Sequence, residues 1–204
     1  MTPRTVVALD GSSIDGSTYL DVNHLAAHTP GWLDNVVSAW STYGLAVFAV
    51  LMAVAWWRAR RMSATAAVTA LTVPVAVVVA YAVNDVVKML VREDRPCQSL
   101  HVATLEACPA PGDWSFPSNH AAIAAAAAVA LLFVSRRLGA IAIGAACMMA
   151  ASRVWVGAHY PHDVAIGLLV GAVSGALLML VVRRWSGPPA RRLAATRLRP
   201  LLVA

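Results

Sequence analysis

Residues 64–88 read ATAAVTALTVPVAVVVAYAVNDVVK, twenty-five positions in which the only strongly polar side chains, Asn84, Asp85 and Lys88, fall within the last five. About twenty mostly apolar residues are enough for a helix to cross the hydrocarbon core of a bilayer. The stretch therefore predicts a spanning helix. Pro74 is expected to kink it rather than end it, because neighbouring helices can satisfy the freed backbone groups.

Four further apolar runs accompany it, at about 40–57, 119–135, 138–156 and 162–182, the third of them short and Ala-rich. The expected fold is an all-α integral membrane bundle of about five transmembrane helices. Helical periodicity cannot sharpen the boundaries, because nearly every position within each run is apolar. Composition agrees: 59% of the 204 residues are hydrophobic and only 13% charged, against about 25% charged in soluble domains. Mean hydropathy is +0.67. Length alone suggests one domain.

The net charge of +6 does not point to nucleic acid, since there is no basic stripe interleaved with aromatics. The arginines cluster instead at the ends of apolar runs: Arg58, Arg60 and Arg61; Arg136 and Arg137; Arg183 and Arg184. With the turns at 58–63 and 136–138 and the tail after 182 on one side, that side holds eleven basic residues and the other five. The richer side is expected to be cytoplasmic. The N-terminus, the 89–118 loop and the 153–161 connection are then outside. Fifteen arginines against one lysine, with abundant Ala and Val, suggest a GC-rich bacterial genome and hence a bacterial plasma membrane.

Residues 1–19 lack a signal peptide's apolar core and are expected to form an extracytoplasmic segment. The membrane domain is expected over 20–182. Within it, residues 20–39, LDVNHLAAHTPGWLDNVVSA, are too polar to span. They fit an amphipathic helix lying in the interface, with Trp32 and Trp40 near headgroup level, or a soluble-style cap on the bundle. Residues 183–204 form a basic tail, read either as a stop-transfer segment with a disordered end or as a contact for anionic headgroups. Cys97 and Cys108 share the outer loop, where an oxidising compartment would permit a bridge; whether it forms is left open. Cys147 lies mid-span as a small apolar residue.

Ionisable residues beside membrane spans are costly and usually functional, and three groups lie on the outer side. Lys88 and Arg95 are seven residues apart, about two helical turns, before the helix-stopping Pro96. Two cations on one face suit a phosphate, although the pair taken alone also fits snorkelling at a helix end. Pro117, Ser118, Asn119 and His120 precede the third run. A helix starting there aims free N–H groups and its positive dipole end outward. Ser118 is placed to cap that helix and to donate to a phosphate oxygen, and His120 to protonate a leaving oxygen. A plain capped helix with an interfacial histidine fits this group equally well. The third group is Ser152, Arg153, His159 and Asp163. Pro161 suits the first turn of the last helix, which puts Asp163 in reach of one imidazole nitrogen of His159 and leaves the other free to attack phosphorus.

Together these groups make a phosphoryl-transfer site with no cofactor and no metal. Lys88, Arg95, Arg153 and the helix N-terminus supply the charge that divalent ions supply elsewhere. His162 reads as a rim or packing residue, Asp85 as a partner for Lys88, and Arg92 as a ligand for a second phosphate, a solvated side chain or a partner of Glu93 or Asp94. His24, His28 and His101 show no metal-ligand spacing.

The three stretches Lys88–(six residues)–Arg95–Pro96, Pro117–Ser118–Asn119–His120 and Ser152–Arg153–(five residues)–His159–(three residues)–Asp163 resemble the signature of the type 2 phosphatidic acid phosphatase superfamily, which includes glucose-6-phosphatases and vanadium haloperoxidases. The resemblance covers roughly residues 20–182. It implies a helical bundle with His159 as nucleophile, His120 as acid, Asp163 as the group that orients His159, and Lys88, Arg95, Ser118, Asn119 and Arg153 around the phosphate. Asn119 departs from the glycine most common there, but asparagine tolerates unusual backbone angles. VNHLAAHTPGWLDNVVSAWSTYG, FPSNHAAIAAAAAVALL and SRVWVGAHYPHDVAIGLLVG look most like bacterial undecaprenyl-diphosphate phosphatases. That similarity implies hydrolysis of a polyprenyl diphosphate at the outer leaflet for carrier-lipid recycling in cell-wall synthesis, through a phosphohistidine. A phosphatidic acid or phosphatidylglycerophosphate phosphatase is the alternative enzyme, and a small lipid-phosphate transporter the alternative outside catalysis. Transporters often carry internal repeats and midplane polar residues, and this chain shows neither. Halide oxidation is disfavoured because the haloperoxidases are soluble and larger.

Overall fold

The computed structural model describes residues 8–185, 195–196 and 199–203. Among the described residues ten helices follow in order: α1 (Ser12–Ala27), α2 (Gly31–Tyr43), α3 (Leu45–Ala59), α4 (Ala64–Leu71), α5 (Val73–Val91), α6 (Pro96–Ser99), α7 (Asn119–Leu132), α8 (Arg136–Trp155), α9 (Pro161–Trp185) and α10 (Arg199–Leu202). Among the described residues the one β-type pairing is an isolated bridge between Leu9 and Glu93.

Each of the five apolar runs lands on helix, with three differences. The run at 64–88 is two helices in one span. It breaks at Thr72, just before Pro74 in the first turn of α5, because proline is tolerated there and not deeper in a helix. The run at 40–57 straddles a bend of 52° at Gly44, its first residues ending α2 and the rest forming α3; the polar stretch 20–39 thus enters the bundle as parts of α1 and α2. Among the described residues three helices are long and apolar enough to cross a membrane, Ala64–Val91, Arg136–Trp155 and Pro161–Trp185, or four if α2 and α3 count as one broken span. The third run is only the fourteen residues of α7, about 21 Å at 1.5 Å per residue, shorter than the hydrocarbon core.

Alpha-helix α7 is short because it is the axis of the bundle rather than part of its wall. Ala121, Ala122, Ala124 and Ala126 are fully buried on it. On α9, Gly167, Gly171 and Gly175 face it at intervals of four. A Cβ on Gly171 would lie 2.1 Å from the Ala122 carbonyl oxygen, and one on Gly167 2.5 Å from that of Ser118. Small residues at such spacing let helix backbones approach closely in a membrane, and this seam sets the height at which α7 and α9 present their first turns. A larger core lies towards the far end, around Phe48, Val73, Leu131, Met149 and Met179. A smaller one of Tyr19, Ala121, Val154, Tyr160 and Val164 supports the site. Outward, Val75, Val78, Val86, Leu90, Leu169 and Leu177 are exposed, as hydrocarbon solvent requires.

The segment 8–11 and α1 lie against the site end of the bundle, and α1 kinks at Asp15 before continuing past residue 20. Of the basic tail, α10 folds back on α3: Trp56 Nε1 donates to the Leu201 carbonyl at 2.9 Å and Arg60 to that of Pro200 at 3.4 Å. Arg4, Arg191, Arg192, Arg197 and the SerGlyProPro stretch at 186–189 lie outside the described residues.

Candidate active site

Six of the eight residues singled out from the sequence meet in one cavity of about 250 Å³: Lys88, Arg95, Asn119, His120, Arg153 and His159. The elements explain the meeting. Lys88 ends α5, Arg95 caps α6, Asn119 and His120 open α7, Arg153 ends α8, and His159 lies in the short turn to α9.

Lys88 and Arg95 are held by backbone oxygens, and Arg153 by side chains. Lys88 Nζ donates to the carbonyls of Trp114 at 2.7 Å and Ser115 at 2.9 Å, not to Asp85. Arg95 donates to the Asp113 carbonyl at 3.0 Å and that of Ala158 at 2.9 Å, and pairs with the Asp113 carboxylate at 3.0 Å. Arg153 donates to Ser41 Oγ at 2.5 Å and pairs with Glu106 at 2.8 Å, while its Nε has no partner. A buried cation left unpaired is expensive, so these partners keep three guanidinium and ammonium groups at one spot.

Behind the cavity, His159 Nδ1 lies 3.3 Å from Asp163 Oδ2. That same oxygen accepts from the Tyr160 N–H at 2.9 Å and from Ser115 Oγ, and Ser115 Oγ lies 3.3 Å from His159 Nδ1. His159 is 2% exposed and Asp163 fully buried. Burial, then the charges of Arg95, Arg153 and Lys88, push the His159 imidazole well below its ordinary 6.5. The arrangement offers a neutral ring whose Nδ1 side is engaged and whose Nε2 side is free for chemistry, beside a cluster of cations.

Ser118 differs from expectation. It sits at the N-cap position of α7, but its side chain makes no capping bond. Its hydroxyl is buried without a partner and does not line the cavity. Its backbone N–H donates to the Asp163 carbonyl at 3.0 Å, so the close approach of α9 at Gly167 turns this residue inward. Asn119 Oδ1 accepts from Asn84 Nδ2 at 2.6 Å, and Asn84 also reaches the Pro117 carbonyl. Asn84, Ser115, Glu106 and Asp113 were not anticipated. Their partners are 18 to 48 residues away, beyond any local pattern. Arg92 turns back to the Met89 carbonyl at 2.9 Å and does not line the cavity.

Cys97 and Cys108 are bonded, with Cα atoms 6.0 Å apart, and both line the cavity. The bond braces the loop that carries Glu106. Among the described residues, Glu93, His162 and Asp163 are the group whose ligand atoms come close enough to hold a metal. Both ring nitrogens of His162 are already engaged, by Asp15 at 2.7 Å and Glu93 at 2.9 Å.

A sequence profile for the PAP2 superfamily matches residues 69–186. The decaprenylphosphoryl-5-phosphoribose phosphatase of Mycobacterium tuberculosis is 33% identical over 178 residues, 85% of this chain and 86% of that protein. The undecaprenyl-diphosphatase BcrC of Bacillus subtilis is 30% identical over 154 residues, 76% and 77% respectively. In fold, Aquifex aeolicus LpxE superposes with a TM-score of 0.66 at 21% identity, over 86% of this chain and 99% of that one. The chain is a membrane protein and a phosphatase of the PAP2 superfamily.

Proposed function

We propose that this protein removes the terminal phosphate of a polyprenyl diphosphate through a phosphohistidine on His159, without a metal. The observation that carries this reading is the convergence of Lys88, Arg95 and Arg153 on one cavity whose inner wall holds His159 backed by Asp163. Three cations spread the charge of the phosphoryl group in flight. His159 attacks in line, Asp163 stabilises the imidazolium that forms, and His120 protonates the departing lipid oxygen. Water then attacks the phosphohistidine with His120 as base. The positive-inside count supports an outward-facing site and a cytoplasmic C-terminus, and the Cys97–Cys108 bond suits an oxidising compartment.

A second reading is hydrolysis of a phosphomonoester on a sugar carried by a polyprenyl phosphate. The similarity to the mycobacterial phosphatase extends over more of the chain than that to BcrC. In addition, Glu106 and Asp113 put carboxylates at the mouth of the cup, which suit hydroxyls and oppose a second phosphate. Phosphate release by the purified protein from undecaprenyl diphosphate, a polyprenylphosphoryl pentose 5-phosphate and phosphatidylglycerophosphate, with His159→Ala alongside, separates the readings. Fastest turnover on the diphosphate supports the first; fastest turnover on the glycerolipid overturns both.

A further inference from the structure

His162 stands beside the site without lining its cavity. Its ring is stacked on Tyr160, with centroids 5.4 Å apart, and lies near Phe116 at 5.8 Å. Nδ1 is 2.7 Å from Asp15 Oδ1, and Nε2 is 2.9 Å from Glu93 Oε1 and 3.5 Å from Asp163 Oδ1. The His162 backbone N–H also donates to Asp15, at 2.7 Å, which the break in helical geometry at Asp15 permits. The N-terminal chain closes over this group so tightly that a Cβ on Gly11 would fall 2.1 Å from Glu93 Oε1 and 2.9 Å from His162 Cε1.

Neutral imidazole has a single N–H, so a ring with carboxylates at both nitrogens is best satisfied as the cation. The charged groups around it are Asp15 from α1, Glu93 from the connection after α5, and Asp163 from its own helix; Lys88 and His159 flank Asp163. Glu93 is 2% exposed and Asp163 fully buried, and burial pushes the Glu93 carboxyl up. Two buried carboxyls so close do not both ionise unless a cation sits with them. Asp163 Oδ1 has no hydrogen bond of its own and faces that ring.

We infer that His162 is a positioning residue for phosphoryl transfer: anchored by Asp15 and Glu93, it keeps Asp163 ionised and thereby holds the His159 ring with its Nδ1 proton towards Asp163. The inference rests on the reading of His159 as nucleophile. Without the imidazolium, Glu93 and Asp163 would share a proton. Whenever that proton rests on Asp163, the carboxyl no longer accepts from His159.

The test uses the full chain in detergent and the fastest-cleaved lipid of the panel above. For His162→Gln, kcat falls about 10–100-fold, the size of effect seen when the support behind a catalytic ligand is lost. KM stays within about threefold, and the acid limb of the pH profile moves to higher pH. Adding Glu93→Gln removes the competing carboxyl and recovers about tenfold of that loss, a rescue that a packing role would not produce. Asp15→Asn, a milder change that serves if His162→Gln does not fold, weakens the hold on the imidazolium, so its basic limb moves to lower pH. Loss through KM alone, no rescue by Glu93→Gln, or unmoved pH limbs would overturn the inference. Retained activity in His159→Ala would instead show that the nucleophile reading is wrong.

Discussion

Glu106 reaches across the cup to Arg153 at 2.8 Å, with its own side chain 46% exposed and that of Arg153 only 5%. If Arg153 binds the phosphate as proposed, the carboxylate competes for the guanidinium with a phosphate oxygen, and an entering phosphate has to displace it. A half-exposed pair of this kind contributes about 0.2–1 kcal/mol, so Glu106→Gln is expected to tighten competitive inhibition by inorganic phosphate up to about fivefold. Weaker inhibition would mean that Glu106 helps bind the phosphate.

Arg95 is held from both sides, by Asp113 and by the Ala158 carbonyl next to His159. Arg95→Ala removes a positioned donor from the proposed phosphoryl site, and a loss of about 100–1,000-fold in turnover is expected. Arg95→Lys keeps the charge and loses the fork that grips two oxygens, so its turnover should fall between the two. Equal activity in Arg95→Ala and the parent would remove this residue from the site.

The pH dependence has a definite sign. As the proposed nucleophile, His159 must be unprotonated to attack, and its environment pushes its pKa well below the ordinary 6.5. The ring therefore stays neutral as pH falls through 6.5, and the acid limb of kcat/KM that belongs to His159 lies below that value. A limb at or above 6.5 that persists in His120→Ala would contradict this.

The glycine seam makes a stability prediction with an internal control. Gly171→Ala drives a Cβ into the Ala122 carbonyl, whereas Gly144 has open space at the same position. Overpacking of this sort costs about 1–3 kcal/mol. Thermal melts in detergent should show Gly171→Ala destabilised and Gly144→Ala unchanged or slightly stabilised, since alanine is the better helix former.

The seam also shows where sequence reading stops. Gly167, Gly171 and Gly175 stand at plain intervals of four, yet in apolar runs without polar contrast the eye is drawn to length rather than to faces. Spans were therefore legible while helix order and depth were not. That α7 is a buried axis follows only once its neighbours α3, α5, α8 and α9 pack around its alanines. The cup was legible because Lys88, Arg95, Arg153 and His159 are out of place beside membrane helices, so their cost flags them. Their supports were not: Ser115, Glu106 and Asp113 come from a loop with no periodicity, and Asp15 meets His162 across 147 residues. His162 itself looked like a rim residue, because its neighbours in sequence say nothing of Asp15 or Glu93. Ser118 kept the cap position but not the cap bond, a consequence of α9 lying against it.

The central claim is that His159 carries the phosphoryl group between lipid and water. On this account His120→Ala removes the acid of the first step and the base of the second; a diphosphate's leaving phosphate needs little protonation, so the second step is slowed more and the intermediate accumulates. After incubation with the preferred lipid and quenching in alkali, which preserves phosphohistidine, mass spectrometry of the peptide containing His159 should show one added phosphoryl group, absent when His159→Ala is combined with it. Phosphorylation of another residue, or turnover through a single displacement by water with inversion at phosphorus, would contradict the account.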